Sequence, residues 1–343
     1  MFLPSCEFYI IIERINQITI RLNGGIKMNK ESKILIYTPS DPNTYADMLR
    51  KKGYTNVHTA STSEEAENSL PDVEIILQWK FPLHLLERPE AKSVKWIQSL
   101  GAGVDDLMRS TSIPEDIVIT RIVDQFGAPM SEYVFAQLLY VYQDISRSQA
   151  SQKEKSWQPF LTQLLQEQTI GVAGLGSIGK EVIRKARAFD MKVHGLSYSG
   201  KEAHLVDRHY GPSEWKEFVK ELDVLVLILP LTEQTRHAVN RDVLLSMKPT
   251  ASLVNIGRGS LIAEADLIEV LRDGHLRAAI LDVFEQEPLP ADNPLWTLPQ
   301  VYVTPHMSGP STQERLGQYL LANLERYEKG EPLTGVVNRK AGY

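Results

Sequence analysis

The chain has 343 residues, 43% of them hydrophobic and 23% charged, with a formal net charge of −6, a composition suited to a soluble globular protein with room for two domains. Mild acidity offers no basic patch to nucleic acid. A single cysteine, Cys6, excludes an internal disulfide, a thiolate metal cluster and cysteine catalysis in the body of the chain, and a cytoplasmic location is the expectation.

Residues 2–22 contain the apolar run FYIII, but Glu13 and Arg14 follow it closely, no basic region precedes it and no small-residue cleavage site follows. It reads neither as a signal peptide nor as a membrane span. A polar lead from Met28 into KILIY is the cleaner start, so residues 1–27 are expected to lie outside the fold. From Lys33 short apolar runs alternate with helical ones: KILIY, a helix from Pro42 to Lys52, NVHTA, a helix from Ser63 to Leu70, then VEIILQ, KWIQS and IVITRI. Such alternation predicts a parallel α/β lobe over about residues 28–128.

Between Pro129 and Ser148 the segment MSEYVFAQLLYVYQDISRS has apolar positions at helical spacing. It is expected to be one long helix crossing to a second lobe, with an aromatic-rich face that is a candidate subunit contact. Six further runs follow, TIGVAG, MKVHGLS, DVLVLIL, ASLVNI, AAILDVF and VYVT, continuous in Val, Ile and Leu as strands buried on both faces should be. Helical patterns at 179–189, 213–221, 240–247 and 263–273 separate the first five. This predicts a six-stranded Rossmann-type sheet over residues 129–309. After Pro310 a last amphipathic helix runs to Gly330 and is expected to carry the chain back, so that the first lobe comprises residues 28–128 and 310–343.

The stretch TIGVAGLGSIG places Gly174, Gly176 and Gly179 between an apolar strand and a helix. In that context the spacing points to a dinucleotide site: Gly174 makes the turn, Gly176 leaves room for a pyrophosphate, and Gly179 lets helix and strand pack closely. The helix start then turns its N–H groups toward the phosphates.

Ligands of open parallel sheets bind beyond the carboxyl ends of the strands. Three ionisable residues fall there: Arg258 in IGRG, Glu287 in EQEPLP and His306 in TPHMSG. Arg258 could fork onto a carboxylate, His306 could protonate a carbonyl oxygen, and Glu287 could orient the ring and favour its imidazolium form. Each also has a plainer reading, as a turn arginine, a solvated charge and a loop histidine. Their joint placement at one sheet edge favours the chemistry.

These motifs, GLGSIG, LPLTEQTRH, VNIGRG, LDVFEQEPLP and NPLWTLPQVYVTPHMSG, together resemble the D-isomer-specific 2-hydroxyacid dehydrogenases, most of all the bacterial glyoxylate/hydroxypyruvate reductases of the A type. The likeness begins at about residue 33. It implies a two-lobed α/β enzyme: a Rossmann-type cofactor domain and a smaller flavodoxin-like substrate domain. Arg258, Glu287 and His306 are its implied catalytic set. It implies cofactor contacts at Gly174, Leu175, Gly176, Ser177, Ile178 and Gly179, at Leu229, Pro230 and Thr235 of LPLTEQTRH, and at Ile256, Asp282, His306 and Ser308. Substrate contacts are implied at Ala102 and Gly103 of SLGAGVDDL, at Trp79 and Lys80 of LQWKFP, and at Arg258. A homodimer built through the cofactor domains is also implied.

The chain departs from the family's NAD-preferring members at the end of the second cofactor-domain strand. An acidic residue there binds the ribose 2′-hydroxyl, but HGLSYSGK offers Ser197. Without that carboxylate a 2′-phosphate is not repelled, and Ser197, Tyr198, Ser199 and Lys201 are the candidates to meet it, although relatives that prefer NADP often carry Arg where Tyr198 stands. NADPH is the expected cofactor, NADH the alternative, and no metal is required. The expected function is reduction of a small 2-oxo acid, glyoxylate or hydroxypyruvate, to the D-2-hydroxy acid, with no nucleic-acid or membrane partner. The rivals are a phosphoglycerate dehydrogenase-like enzyme and a non-catalytic protein that senses dinucleotides.

Overall fold

The computed structural model describes residues 30–340 and residue 342, and the expectation for residues 1–27 lies outside the described residues. The chain divides into two compact units. One takes the described residues up to Leu100, with Ser112–Arg121 and Gly317–Val336; the other takes Gly101–Thr111, Ile122–Leu316 and the residues from Val337. Gly101–Thr111 thus groups with the second unit, although the sequence reading placed it in the first lobe. The cause is long-range: Ile122 N donates to the Gly101 carbonyl, and Asp105 pairs with Arg258.

In the first unit five strands, β1 (Ile34–Tyr37), β2 (Val57–Ala60), β3 (Ile75–Gln78), β4 (Trp96–Ser99) and β5 (Val118–Thr120), form a parallel sheet in the order β2-β1-β3-β4-β5. This is the flavodoxin-like order. β1, β3 and β4 are buried along their whole length, which explains their unbroken apolar sequences. The helix Ser63–Ser69 begins with a reciprocal cap: Thr62 accepts from Glu65 N, and Glu65 accepts from Ser61 N. From Gly317 onward the helix Gln313–Lys329 belongs to this unit. There Asn323 donates to Gln98 Oε1 and to the Thr334 carbonyl, and Tyr327 stacks on Trp96 at 5.1 Å.

The second unit has seven strands rather than six: β6 (Thr169–Ala173), β7 (Lys192–Leu196), β8 (Arg208–Tyr210), β9 (Val224–Leu227), β10 (Ser252–Asn255), β11 (Ala278–Leu281) and β12 (Val301–Val303). All are parallel, in the order β12-β11-β10-β9-β6-β7-β8. The unexpected strand is β8. It is three residues long, lies at the sheet edge and buries only Tyr210 fully, so it leaves no apolar run to read. Strand order reverses at β6 and β9, which is where a doubly wound sheet opens its ligand crevice. Alternating side chains feed two cores. Val224 and Val226 pack with Ile170, Val172 and Phe135 on one face, while Leu225 and Leu227 pack with Leu253 and Leu267 on the other.

The segment expected as one crossover helix is two, Gly127–Tyr142 and Ile145–Lys153. Asp144 breaks it, with φ +48° and its side chain accepting from Arg147 N. Aspartate tolerates the left-handed region better than most residues and caps the next helix at once. Pro129 sits in the first turn, where its missing N–H costs nothing. Among the described residues no helix is long and apolar enough to cross a membrane.

Candidate active site

Beyond the carboxyl end of β6 the chain turns at Gly174, whose φ is +109° and where a side chain would meet the Ile228 carbonyl at 2.8 Å. A Cβ on Gly179 would come within 2.0 Å of the Gly174 carbonyl oxygen, so that position holds the helix against the strand. Gly176 faces open space, with nothing within 4 Å of an added Cβ. These three environments match the three tasks of a pyrophosphate-binding turn. Gly176 caps the helix Ser177–Ala188, and the first backbone bond of that turn runs from Lys180 N to the Gly176 carbonyl. The N–H groups of Ser177, Ile178 and Gly179 precede it, at the positive end of the helix. Leu175 is buried in the core, so its side chain does not face the open side of the turn.

Arg258 follows β10 through Ile256 and Gly257. Asn255 prepares this turn by accepting from Gly257 N and donating to the Arg258 carbonyl. The guanidinium is held on three sides. Its Nε donates to Asp105 Oδ2 at 2.6 Å and its Nη1 to the Gly257 carbonyl at 2.7 Å. Nη2 fills the place of the absent Gly103 side chain, 1.5 Å from where a Cβ would stand. Ala102 and Gly103 are therefore brought to Arg258 within one unit. Sequence reasoning missed Asp105, whose partner lies 153 residues away.

Beyond β11 and β12 the loops converge on a second ion pair. His306 Nδ1 donates to Glu287 Oε2 at 2.8 Å, and Glu287 Oε1 accepts from Phe284 N at 3.1 Å. Burial pushes the Glu287 carboxyl upward, but the hydrogen bonds from His306 and Phe284 and the positive charges of His306 and Arg258 outweigh it. The carboxyl settles below its ordinary value. With Nδ1 committed, Nε2 is the nitrogen left for a ligand, and the ring is half exposed.

Asp282, fully buried, accepts from Thr304 Oγ1, Met307 N and Ser308 N, while its carbonyl accepts from His306 N. It thereby pins the loop that carries His306, including the buried Ser308. Tyr133 joins this network through Thr304 Oγ1 at 2.6 Å. Since Thr304 spends its proton on Asp282, Tyr133 must be the donor. Burial above all, with the Asp282 charge, pushes its hydroxyl up to about 12 and keeps it protonated. Thr235 is similarly occupied, donating to the Pro230 carbonyl and accepting from Thr232 N. It shapes the turn that holds the partly exposed Leu229 and Pro230.

At the end of β7, Gly174 N donates to the Leu196 carbonyl, which sets Ser197 beside the glycine turn. Ser197 Oγ lies 2.8 Å from His209 Nε2, a residue of β8 that sequence reasoning also missed. Tyr198 is 71% exposed, and Ser199 and Lys201 are exposed. The nearby carboxylates are engaged elsewhere: Asp207 by both Nη atoms of Arg187, and Glu202 by Lys180. Trp79 and Lys80 stand in the first unit, just past β3, where Trp79 N donates to the Tyr37 carbonyl and Lys80 has φ +60°.

A family model described as D-isomer specific 2-hydroxyacid dehydrogenase, NAD binding domain, matches residues 135–308. The chain is 33% identical over 273 residues to glyoxylate/hydroxypyruvate reductase A of Salmonella heidelberg, covering 78% of this chain and 86% of that one. Among solved structures it is similar to a D-isomer specific 2-hydroxyacid dehydrogenase family protein of Aeromonas salmonicida, with 34% identity and a TM-score of 0.82 over 90% of this chain and 100% of that one. It is also similar to an NADPH-dependent glyoxylate/hydroxypyruvate reductase of Sinorhizobium meliloti in complex with NADP and sulfate, with 30% identity and a TM-score of 0.82 over 91% and 100%. With the glycine turn and the seven-stranded sheet, these likenesses show that the chain belongs to the D-isomer specific 2-hydroxyacid dehydrogenase family, whose members are NAD(P)-dependent oxidoreductases acting on a CH–OH group.

Proposed function

We propose that the enzyme reduces glyoxylate or hydroxypyruvate with NADPH, giving the D-2-hydroxy acid where a stereocentre forms. The observation that carries this reading is the pairing of His306 with Glu287 at one group of strand ends that also presents the three-point-held Arg258. A nicotinamide held at the glycine turn would supply the hydride that the carbonyl carbon receives. His306, as imidazolium, gives the proton on Nε2 to the carbonyl oxygen, and Glu287 holds the ring through Nδ1 and stabilises its charged form. The neutral imidazole then recovers a proton from solvent, to which it is half open. Arg258 receives the substrate carboxylate on the N–H groups not spent on Asp105 and Gly257, with the Ala102–Gly103 backbone beside it.

NADPH rather than NADH is favoured by the strand end at Ser197. No carboxylate stands there to claim a ribose 2′-hydroxyl, and Asp207 and Glu202 are tied to Arg187 and Lys180. Relatives solved with NADP or NADPH are in accord. A homodimer through the second unit is part of the same reading. The test is to follow NADPH and NADH oxidation with glyoxylate, hydroxypyruvate, pyruvate and phosphohydroxypyruvate. Glyoxylate or hydroxypyruvate with NADPH should give the highest kcat/KM; a lower KM for NADH, or preference for the phosphorylated acid, refutes the respective part. His306→Ala should lose about 10²–10⁴-fold in kcat while remaining folded.

A further inference from the structure

The proposed NADPH site lacks one element. The position where a guanidinium would meet a 2′-phosphate holds Tyr198, 71% exposed, so the strong acceptor oxygens of the phosphate must find well-aimed hydroxyl donors instead. The edge strand β8 brings a substitute. Through the pairing of Gly195 with His209 and of Leu196 with Tyr210, the imidazole of His209 comes under the turn after β7. Its Nε2 is 2.8 Å from Ser197 Oγ, and its Cε1 would lie 3.7 Å from a Cβ on Gly200. Ser197 itself is fixed by its N–H bond to the Tyr210 carbonyl.

Resting on the NADPH reading, we propose that His209 is a specificity-determining residue for the cofactor. When its Nε2–H donates to Ser197 Oγ, the serine hydroxyl proton is turned outward to donate to the 2′-phosphate. A 2′-hydroxyl gains little from a donor aimed in this way, so the residue separates NADPH from NADH and not one substrate from another.

The other charges of this corner are largely matched. On the turn, Glu202 is held by Lys180 and has His204 at 4.0 Å. On β8 and just before it, Asp207 is held by Arg187, and Arg208 lies over the Tyr210 ring and 3.9 Å from Glu221. Glu214, after β8, accepts from Gly211 N. On β7, Lys192 is exposed, and the buried His194 packs against Tyr210, its pKa lowered first by desolvation.

The test is direct binding of NADPH and NADH to the full-length protein, by the fluorescence of the reduced nicotinamide, for the parent, His209→Ala and His209→Gln. The parent should bind NADPH more tightly than NADH. His209→Ala should weaken NADPH binding about tenfold, with NADH binding nearly unchanged. Glutamine, which keeps a donor for Ser197, should lie between alanine and the parent, and it serves as the readable variant if alanine compromises folding. A parent that prefers NADPH, beside variants that keep that preference or lose both dinucleotides equally, overturns the role of His209 alone. A parent that binds NADH more tightly overturns the cofactor reading beneath it.

Discussion

Gly103 shows how a single missing side chain can fix a charged one. The Arg258 guanidinium occupies the space a Cβ would need, with Nη2 at 1.5 Å and Cζ at 2.7 Å from that point. Gly103→Ala should therefore push the guanidinium off Asp105. The expected result is a KM for the 2-oxo acid raised about tenfold or more, the scale of one lost charge-assisted contact, with the dissociation constant for NADPH unchanged. Steady-state kinetics beside a cofactor titration check this, and an unaltered KM would show that Arg258 does not need its present orientation. Arg258, Glu287 and His306 were legible because each follows an apolar run, so strand ends could be counted along the chain. Asp105 and His209 were not, since their meaning comes from partners 153 and 12 residues away, in folded contacts that no local pattern announces.

Among the elements, the β11 and β12 ends depend on one buried carboxylate. Asp282 accepts three hydrogen bonds from the Thr304–Ser308 loop, a structural role that a strand-end aspartate could equally fill beside the cofactor contact the family resemblance implied. Truncation in Asp282→Ala leaves the Met307 and Ser308 N–H groups unpaired, at a cost of about 1–3 kcal/mol for each group that stays buried. The variant should melt several degrees lower and lose turnover, because the backbone that aims His306 is released. Calorimetry and kcat together decide: full activity in a protein with an unchanged melting temperature would remove Asp282 from this role. Strands with continuous Val, Ile and Leu were readable because both of their faces are covered. β8 was not, being polar and at the edge. The helix break at Asp144 was hidden for a different reason: apolar periodicity continues up to Tyr142, and the single residue that turns the chain was itself a plausible member of a polar helix face.

For the molecule as a whole, the second unit carries an exposed apolar stretch on the segment between the helix Ile145–Lys153 and β6. Trp157 is 95% exposed, Leu161 fully exposed and Leu164 62% exposed, too much large apolar surface on one short stretch to be left in water without purpose. The segment is nonetheless tied down. Arg147 lies 4.4 Å from the Phe160 ring centroid, Gln163 N donates to the Tyr142 carbonyl, and Gln143 Nε2 donates to the Gln163 carbonyl. An arm held in place with its apolar side chains outward is suited to a second copy of the chain, the partner that family resemblance also implies. Burying one tryptophan and two leucines contributes about 1.5–3 kcal/mol each, and the arm would do so twice in a symmetric pair. Trp157→Ser combined with Leu161→Ser should therefore weaken self-association by well over tenfold and leave the melting of the isolated chain almost unchanged, since neither side chain packs within its own fold. Sedimentation equilibrium over a range of concentrations measures this. A parent that sediments as a monomer throughout, or a double variant that dimerises as tightly as the parent, would show that the arm faces some other surface.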